Sequence, residues 1–536
     1  MPTTRMDAAG GLAVSTGLDV TAVIDRLVSQ DVPQRLADAD AGLWGPDAAE
    51  EAAVRLGWLD TFERSRDLLP MLDRLRAELS QAGIRHVVLA GMGGSSLAPE
   101  VICRTLDVPL TVLDTTDPLQ VARGLRLPLA ETVIVVSSKS GGTVETESLR
   151  RAWAQAFTDA GIKDVGRHFV IVTDPGSPLE QLGTAMGATV ILADPDVGGR
   201  YSALTAFGLV PAALAGVNVA ELIDQAAEFA TTVTNAPPQN PALLLGAVLA
   251  QRPTITIAED GSGIVGLGDW AEQLIAESTG KDGKGVLPVV VESPTAVGAR
   301  GRQSVLSATV GGATTGFTTG SALDAPDVAV NGPLGAQFLC WELATAYAGR
   351  LLEINPFDQP NVAESKDNTK RILSSGIPSE PAAFTDTGLT AYGTGESGLV
   401  EALRALTAQA DDDGYIAIMA YSDREDDARL ARLRQVLAAS ATVPVTFGWG
   451  PRFLHSTGQF HKGGRPTGVF LQITADSGSD VEVPGRQYGF GQLIAAQAAG
   501  DRAALRDRNR PLLWLHLHDR AAGIERILDA AQEVGR

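Results

Sequence analysis

The chain has 536 residues, of which 44% are hydrophobic, and a formal net charge of −21 at pH 7. This length is enough for two or three domains, and the negative charge argues against nonspecific binding of nucleic acid or of an anionic membrane. Only two cysteines occur, Cys103 and Cys340, which excludes a disulfide framework. Without an apolar signal-peptide core or a run of about 18 apolar residues, a soluble cytoplasmic protein is expected.

Residues 1–80 are expected to form an N-terminal helical segment, because apolar residues such as Val20, Ile24 and Leu27 share one helix face. Five strand candidates follow, separated by helix-sized segments. They lie near residues 86–90, 110–113, 133–137, 169–173 and 189–193. This alternation is typical of a doubly wound parallel sheet, which is assigned to residues 81–233.

A Pro- and Asn-rich linker at residues 234–241 separates this domain from a second α/β domain, residues 242–375. Its elements are expected near residues 242–250 (helix), 254–258, 286–291, 306–310 and 327–330 (strands) and 334–352 (helix). A loop-rich stretch, residues 376–397, leads to an extra C-terminal α/β portion, residues 398–536. Its strands are expected near residues 415–420, 443–447, 468–473 and 512–517. The predicted fold class is α/β, with two doubly wound, mostly parallel, flavodoxin-like sheets.

The segment 133–146, VIVVSSKSGGTVET, carries the strongest chemical signal. Its β-branched run predicts a buried strand that ends at small residues, where a helix should begin. Backbone N–H groups, the hydroxyls of Ser138, Ser140 and Thr143 and the helix N-terminus together suit a dianionic phosphate. The pattern differs from a Walker loop, and an ordinary Gly/Ser-rich turn is the alternative interpretation.

A second loop of this type, Gly91 to Ser96 (GMGGSS), follows the strand at residues 86–90. Such a loop is a weak signal alone, but two on neighbouring strands suggest a phosphorylated small molecule along the carboxyl edge of the sheet. Together the two loops resemble the sugar isomerase (SIS) domain. Lys139, Arg200 and Lys366 could supply the local positive charge that an anionic ligand needs in an acidic protein.

Four segments in order resemble the glucose-6-phosphate isomerase (phosphoglucose isomerase) family. They are residues 138–146 (SKSGGTVET), 196–208 (DVGGRYSALTAFG), 273–281 (QLIAESTGK) and 357–362 (FDQPNV) with Lys366 downstream. The last three are similar to the family patterns GGR[FY]S, QxxxESxGK and FDQPGVExxK. The resemblance implies a double SIS-domain enzyme of glycolysis and gluconeogenesis that interconverts glucose 6-phosphate and fructose 6-phosphate through a cis-enediolate, without metal or redox cofactor.

The resemblance also implies a role for each matching residue. Glu277 would move the proton between C2 and C1, Arg200 would stabilise the enediolate, and Lys366 would assist ring opening. The implied substrate-binding residues are Gly94, Ser95, Ser138, Lys139, Ser140, Thr143, Gly199, Gln273 and Gln359. This allocation agrees with the chemistry, because isomerisation needs a base for a weakly acidic C–H proton and a fixed cation for the developing negative charge.

The family's ring-opening histidine departs from the usual order in this chain, because no histidine lies between Glu277 and Lys366. A matching motif, FLHSTGQF, occurs afterwards and offers His455 as the acid/base group, with His461 as a competitor. This order resembles the isomerase part of actinobacterial transaldolase–isomerase fusions, although no transaldolase region is recognisable. The other histidines, His86, His168, His516 and His518, flank strands and are expected to be structural.

His455 requires the C-terminal portion to fold back onto the mouth formed by the two sheets, or to reach it from a second subunit; a homodimer is expected. Two alternatives stay open: a bifunctional phosphoglucose/phosphomannose isomerase, and a noncatalytic phosphosugar-binding SIS regulator. A glucosamine-6-phosphate synthase is disfavoured, because its glutaminase half needs an N-terminal cysteine and this chain starts Met1-Pro2-Thr3. No cluster of His, Cys and carboxylates has ligand-like spacing, so no metal site is expected.

Overall fold

The computed structural model describes residues 4–313 and 325–535, without the side chains of residues 362, 363, 365 and 366. Within these residues the strands are β1 (Thr4–Asp7), β2 (Ala13–Thr16), β3 (His86–Ala90), β4 (Thr111–Leu113), β5 (Thr132–Ser137), β6 (Phe169–Thr173), β7 (Thr189–Leu192), β8 (Thr254–Glu259), β9 (Leu287–Val290), β10 (Val305–Gly311), β11 (Val328–Asn331), β12 (Phe384–Asp386), β13 (Leu389–Tyr392), β14 (Tyr415–Tyr421), β15 (Val445–Trp449), β16 (Gly468–Ala475) and β17 (Leu512–Leu517).

The helices of the same residues are α1 (Thr21–Ser29), α2 (Val32–Ala37), α3 (Pro46–Ala53), α4 (Thr61–Arg64), α5 (Leu69–Gln81), α6 (Leu97–Thr105), α7 (Pro118–Gly124), α8 (Val144–Asp159), α9 (Pro178–Met186), α10 (Ala206–Ala215), α11 (Val219–Asn235), α12 (Pro241–Leu249), α13 (Leu267–Thr279), α14 (Leu334–Leu352), α15 (Val362–Ser375), α16 (Leu399–Thr407), α17 (Arg432–Ser440), α18 (Gly458–Gly463), α19 (Phe490–Arg506) and α20 (Arg520–Val534). Short 3₁₀ helices connect several of them.

The first sheet has the strand order β4-β3-β5-β6-β7, and all of its pairs are parallel. Its central strand β5 is buried along its whole length, as its β-branched run predicts. From β3 the chain crosses to β4 on one side and then to β5 on the other. The loops after β3 and β5 therefore flank the point where the winding reverses, which is where doubly wound sheets bind ligands.

The second sheet has the order β1-β2-β11-β10-β8-β9. Strands β8 to β11 are parallel, as predicted, and β2 pairs antiparallel with β11, from Ala13–Asn331 to Thr16–Val328. The expectation of a helical segment over residues 1–80 is wrong for residues 4–16, because the hairpin β1–β2 extends the second sheet. Its strands have only four residues each, too few for a periodic pattern.

The third sheet has the order β12-β13-β17-β16-β14-β15, with a parallel core of four strands. The stretch at residues 376–397, expected to be loop, contains the hairpin β12–β13, which pairs antiparallel with β17. This sheet packs on the second one through a shared apolar cluster that includes Leu287 and Val289 from β9 and Phe453 and Phe460 from the C-terminal portion. The C-terminal portion therefore lies against the rest of the chain.

Two further expectations concern the cysteines and the membrane. Cys103 and Cys340 are both buried and free, which agrees with the absence of a disulfide framework. Among the helices of the described residues, none combines the length and apolarity needed to cross a bilayer.

Candidate active site

The loop between β5 and α8 brings together the hydroxyls expected to hold phosphate. The Oγ of Ser138 lies 3.1 Å from Oγ1 of Thr143, and the Gly142 N–H donates to Oγ of Ser140 over 3.3 Å. Gly141 has a φ of +66°, and a Cβ there would lie 2.9 Å from the backbone nitrogen of Leu179. Only glycine suits this position, so the small residues of SKSGGT let the chain turn directly into the N-terminus of α8.

Lys139 lies in the same loop, but its ammonium is engaged away from the hydroxyls. Its Nζ lies 2.5 Å from Oδ2 of Asp174 and donates to the carbonyl of Pro195 over 3.2 Å. The contact anchors the loop to the end of β6. In this structure Lys139 is thus a loop anchor, and its contact with substrate stays a prediction.

The GMGGSS loop after β3 touches three other predicted segments. A Cβ on Gly94 would collide with the carbonyl oxygen of Gly199. Gly93 has a φ of +55°, and a Cβ there would lie 2.6 Å from Nε2 of Gln273 and 2.9 Å from the carbonyl oxygen of His455. Glycine is required because three segments from distant parts of the chain pack against one turn. Ser95, in the same turn, is buried.

Arg200 is buried with 3% exposure, and its guanidinium is held by several acceptors. Its Nε donates to Oγ of Ser278 over 2.8 Å, one Nη donates to the carbonyl of Pro356 over 2.6 Å, and the other donates to Oε1 of Gln359 over 3.3 Å. The predicted segments GGRYS, ESTGK and FDQPN therefore meet at this side chain. A cation so fixed needs little reorganisation to stabilise a developing negative charge.

Glu277 is buried on α13, beside that guanidinium. Its Oε2 accepts a hydrogen bond of 3.3 Å from Nε2 of Gln273, one turn earlier on the helix, and lies 3.8 Å from the nearer Nη1 of Arg200. A lone glutamate on a helix is usually solvated, but this one is 5% exposed and next to a cation. The arrangement places a buried carboxylate beside a fixed cation, the two kinds of group that proton transfer with a developing negative charge requires.

Gln459 and Asn361 join two of the motifs to the loop that follows α13. The Nε2 of Gln459 donates to the carbonyl of Gly280 and to Oδ1 of Asn361, each over 2.9 Å. The backbone N–H of Asn361 donates to Oε1 of Gln459 over 3.0 Å. Sequence reasoning did not single out this pair, although both residues lie inside quoted motifs. The contacts explain how the HSTGQ segment is held at the site despite its late position in the chain.

Lys281, the last residue of the ESTGK segment, also contacts the site. The motif includes this residue, but no role was predicted for it. Its ammonium donates to the carbonyl of Asn355 over 2.7 Å and lies 2.5 Å from Oδ1 of Asp358. Burial, with a further contribution from Arg200, lowers the pKa of Lys281 to about 8. Lys281 holds the FDQPN segment against α13.

His455 reaches the start of α8, directly after the loop that is expected to hold phosphate, within one chain. It ends a 3₁₀ helix, Arg452–His455, and its Nε2 lies 3.0 Å from Oε1 of Glu145, a residue 310 positions earlier. Glu145 also accepts a 2.7 Å hydrogen bond from Nε2 of Gln497, whose Oε1 accepts one of 2.6 Å from Thr116. His455 and Thr143 line one cavity of about 100 Å³.

This network was missed at the level of sequence. Glu145 stands inside the quoted segment SKSGGTVET, directly after the predicted phosphate ligands, and that position was the available signal. The sequence provides no such signal for Gln497 and Thr116, because they lie in α19 and in the loop after β4, outside the quoted motifs. A carboxylate that accepts from the imidazole orients the ring and selects its tautomer.

His461, the competing histidine, lies in the core of the third sheet. Its Nδ1 is 3.0 Å from the hydroxyl of Tyr415, and its ring packs against Phe470. Burial lowers the pKa of His461 to about 3, with smaller contributions from Lys462 and Arg510. A neutral, enclosed imidazole cannot exchange protons with a sugar, so this geometry favours His455.

Lys366 lies in helix α15, but its side chain falls outside the described part of the structure. Its role in ring opening therefore stays a prediction. Gln359, on the segment before this helix, is in place through its contact with Arg200.

A second, charged cavity of about 430 Å³ lies between the second and third sheets. Arg452 crosses it and lies 2.6 Å from Glu100. On its wall, Oε1 of Glu272 accepts a 3.2 Å hydrogen bond from Ser456, the neighbour of His455. Burial, reinforced by the carboxylate of Asp269, raises the pKa of Glu272 from its usual 4.5 to about 8.

The raised pKa of Glu272 predicts a pH-dependent stability. Between about pH 4.5 and 8 the folded state holds a proton that the unfolded state has lost, so the free energy of unfolding falls as pH rises through this window. The variant Glu272→Gln is expected to match the wild type near pH 4.5 and to be more stable above pH 8. Urea unfolding at both pH values measures this difference; the exposed Glu221→Gln is the control, and an equal difference at both pH values would contradict the assignment.

The fold and this site define a class of protein: an α/β protein with mostly parallel sheets, in which two loops of the phosphate-binding type follow neighbouring strands of the first sheet. Residues 76–276 match the family model for phosphoglucose isomerase. Over these residues the chain is therefore similar to the phosphoglucose isomerase family, which agrees with the resemblance predicted from the sequence.

Two curated relatives are similar to this chain over part of its length. A probable glucose-6-phosphate isomerase of Haloquadratum walsbyi is 34% identical over 213 residues, 38% of this chain and 49% of that protein. A glucose-6-phosphate isomerase of Rubrobacter xylanophilus is 28% identical over 379 residues, 57% of this chain and 85% of that protein. The chain spans about half the length of the first curated relatives it matches.

Among solved structures, a glucose-6-phosphate isomerase from Chlamydia trachomatis superposes with a TM-score of 0.54 at 18% identity, over 70% of this chain and 90% of that chain. A hypothetical protein from Thermus thermophilus superposes with a TM-score of 0.55 at 24% identity, over 66% of this chain and 97% of that chain. At these identities the likeness concerns the fold.

Proposed function

We propose that the protein is a glucose-6-phosphate isomerase that interconverts D-glucose 6-phosphate and D-fructose 6-phosphate. One observation carries the proposal. The buried carboxylate Glu277 lies 3.8 Å from the fixed cation Arg200. Gln273, which donates to Glu277, and His455 both pack against Gly93, and His455 contacts Glu145 at the start of α8. A phosphosugar-binding regulator has no use for this set of groups.

Each step of the proposed reaction uses a group of this chain. The hydroxyls and N–H groups of the phosphate loop bind the phosphate, and His455, oriented by Glu145, moves a proton between the ring oxygen and the C1 hydroxyl as the ring opens. Glu277 then takes the proton from C2 and returns it to C1. Arg200 stabilises the negative charge on the sugar oxygens of the enediolate between these two transfers. Lys366 assists ring opening, as the resemblance implies.

The phosphate loop supports a prediction about binding. Removing one hydroxyl in Ser138→Ala or Thr143→Ala is expected to raise the KM for fructose 6-phosphate about 10-fold or more, because a hydrogen bond to a charged group contributes about 1.5–3 kcal/mol. Fructose without phosphate should bind far more weakly than fructose 6-phosphate to the wild type. Steady-state kinetics test this, with the exposed Ser80→Ala as a matched control; equal affinity for fructose and fructose 6-phosphate would contradict the loop assignment.

We also propose, as the resemblance implies, that the protein is a homodimer in the cytoplasm and acts in glycolysis and gluconeogenesis. His455 is supplied by the chain that also supplies the phosphate loop. A dimer is therefore not needed to complete this candidate site, and we propose that dimerisation serves another purpose, such as stability.

A coupled assay tests the activity. Purified full-length chain is given fructose 6-phosphate, and glucose 6-phosphate is followed through NADP⁺ reduction by a glucose-6-phosphate dehydrogenase. We expect sustained turnover, unchanged by EDTA because every proposed step uses a protein side chain. Turnover of mannose 6-phosphate in a matching assay would favour the bifunctional isomerase instead. Tight binding of fructose 6-phosphate without turnover would indicate the noncatalytic regulator and overturn the proposal.

A further inference from the structure

Two histidines and an aspartate meet at the carboxyl edge of the third sheet. His516 lies on β17 and His518 directly follows it, while Asp476 directly follows the neighbouring strand β16. The Nε2 of His516 is 3.1 Å from one carboxylate oxygen of Asp476, and the Nδ1 of His518 is 3.2 Å from the other. The three groups offer ligand atoms that all lie within 4.8 Å of one another.

We infer that Asp476, His516 and His518 form a binding site for a divalent transition metal ion of the zinc type, separate from the candidate active site. This inference departs from the sequence-based expectation of no metal site, which rested on spacing along the chain. His516 and His518 alternate along a strand and point to the same side of the sheet, and parallel pairing brings Asp476 beside them across 40 residues. Linear spacing could not reveal the group.

The geometry of the cluster suits the ion. Zinc binds imidazole nitrogen and carboxylate oxygen at about 2.0–2.2 Å, so that neighbouring ligand atoms of a tetrahedral site lie about 3.3 Å apart. The separations of 3.1 Å and 3.2 Å, one to each oxygen of the carboxylate, are close to this value, and one ligand atom from each of the three residues lies within 4.8 Å of the others. Two imidazoles with one carboxylate favour zinc and similar transition metals over Mg²⁺ and Ca²⁺, which prefer oxygen ligands.

Hydroxyl groups behind the histidines orient both rings. The Nδ1 of His516 lies 2.8 Å from Oγ1 of Thr474, and the Nε2 of His518 lies 2.9 Å from Oγ1 of Thr390. Each hydroxyl oxygen can accept the N–H of the far ring nitrogen, which leaves the lone pair of the near nitrogen directed at the metal position. Such outer partners are typical of metal-binding histidines.

The surroundings leave room for a further ligand. Both histidines line a cavity of about 360 Å³ at the carboxyl ends of β14, β16 and β17, next to the point where the winding of this sheet reverses. Three protein ligands leave a fourth zinc position for water or a small anion from this cavity. The nearby guanidinium of Arg520 is paired with Asp117 and Asp427, so its charge is balanced.

Isothermal titration of the full-length chain with Zn²⁺, after treatment with EDTA and desalting, tests the inference. We expect one equivalent of Zn²⁺ to bind, and Mg²⁺ to give no binding under the same conditions. The double variant His516→Ala/His518→Ala should lose this equivalent, and Thr390→Val should bind about 10–100-fold more weakly because one ring loses its orienting partner. His455→Ala, which removes a histidine–carboxylate pair elsewhere, should bind as the wild type does.

Two further measurements keep the test decisive if the double variant does not fold. Asp476→Asn keeps the shape of the side chain and should abolish the tight equivalent, and Co²⁺ bound to the wild type should give the visible absorption bands of nitrogen-coordinated cobalt. Absence of Zn²⁺ binding to the wild type, or binding unchanged in Asp476→Asn, would overturn the inference. Neither result affects the proposed isomerase, whose steps use no metal.

Discussion

Replacing Glu277 by glutamine is expected to lower kcat for isomerisation by about 10²–10⁴-fold, the usual contribution of a positioned acid/base group. The amide cannot accept the C2 proton, whereas its size and its hydrogen bond from Gln273 are nearly preserved. Binding of fructose 6-phosphate should therefore stay within a few-fold of the wild type. Steady-state kinetics and equilibrium binding of the same preparations separate the two effects.

The matched control for Glu277 is Glu272→Gln, because Glu272 lies on the same helix and lines the charged cavity on the other side. This variant should keep turnover within a few-fold. A Glu277→Gln enzyme with turnover near that of the wild type would remove Glu277 from the mechanism.

The second large effect is expected for His455→Ala. Conversion of the closed sugar needs a proton moved between the ring oxygen and the C1 hydroxyl. The turnover of closed sugar should therefore fall by about 10²-fold or more, the usual contribution of an acid/base group. Proton exchange on a sugar phosphate too short to form a ring should change much less, because that reaction starts from the open chain. Glu145→Gln should give the same pattern more weakly, because its side chain accepts from the imidazole in the wild type.

His461 provides the control for this experiment. Because His461 is buried against Tyr415 and Phe470, His461→Ala should lower thermal stability while leaving turnover per folded molecule close to the wild type. If His461→Ala impaired ring opening while His455→Ala did not, the acid/base role would pass to His461.

The parts of the fold that were predicted from sequence are those with long apolar patterns. Strand β5 and helix α14 have such runs, and their bounds agree closely with expectation. The strands that were missed, β1, β2, β12 and β13, have three or four residues and exist because distant strands pair with them. Strand β4 is as short but lies within the regular alternation of strands and helices, whereas these hairpin strands lie outside it and have no local signal that distinguishes them from loops.

The candidate site also has a part that the sequence predicts and a part that only the structure shows. Motifs with characteristic residues singled out Glu277, Arg200 and both loops, and the structure brings Glu277 next to Arg200 and Gln273 next to the first loop. The contacts that hold His455, from Glu145 and Gln497, join residues hundreds of positions apart through tertiary packing. Such partners follow from the three-dimensional arrangement of the sheets and not from spacing along the chain.

The central claim is that Glu277 transfers a proton between neighbouring carbons of a bound phosphosugar. Incubation of fructose 6-phosphate with the full-length chain in D₂O, followed by ¹H NMR, tests it directly. A carboxylate that holds the proton during the life of the enediolate can exchange it with solvent, so we expect glucose 6-phosphate that carries deuterium at C2, with formation almost abolished in Glu277→Gln. Product that retains all of its hydrogen at C2, formed equally well by Glu277→Gln, would contradict the account.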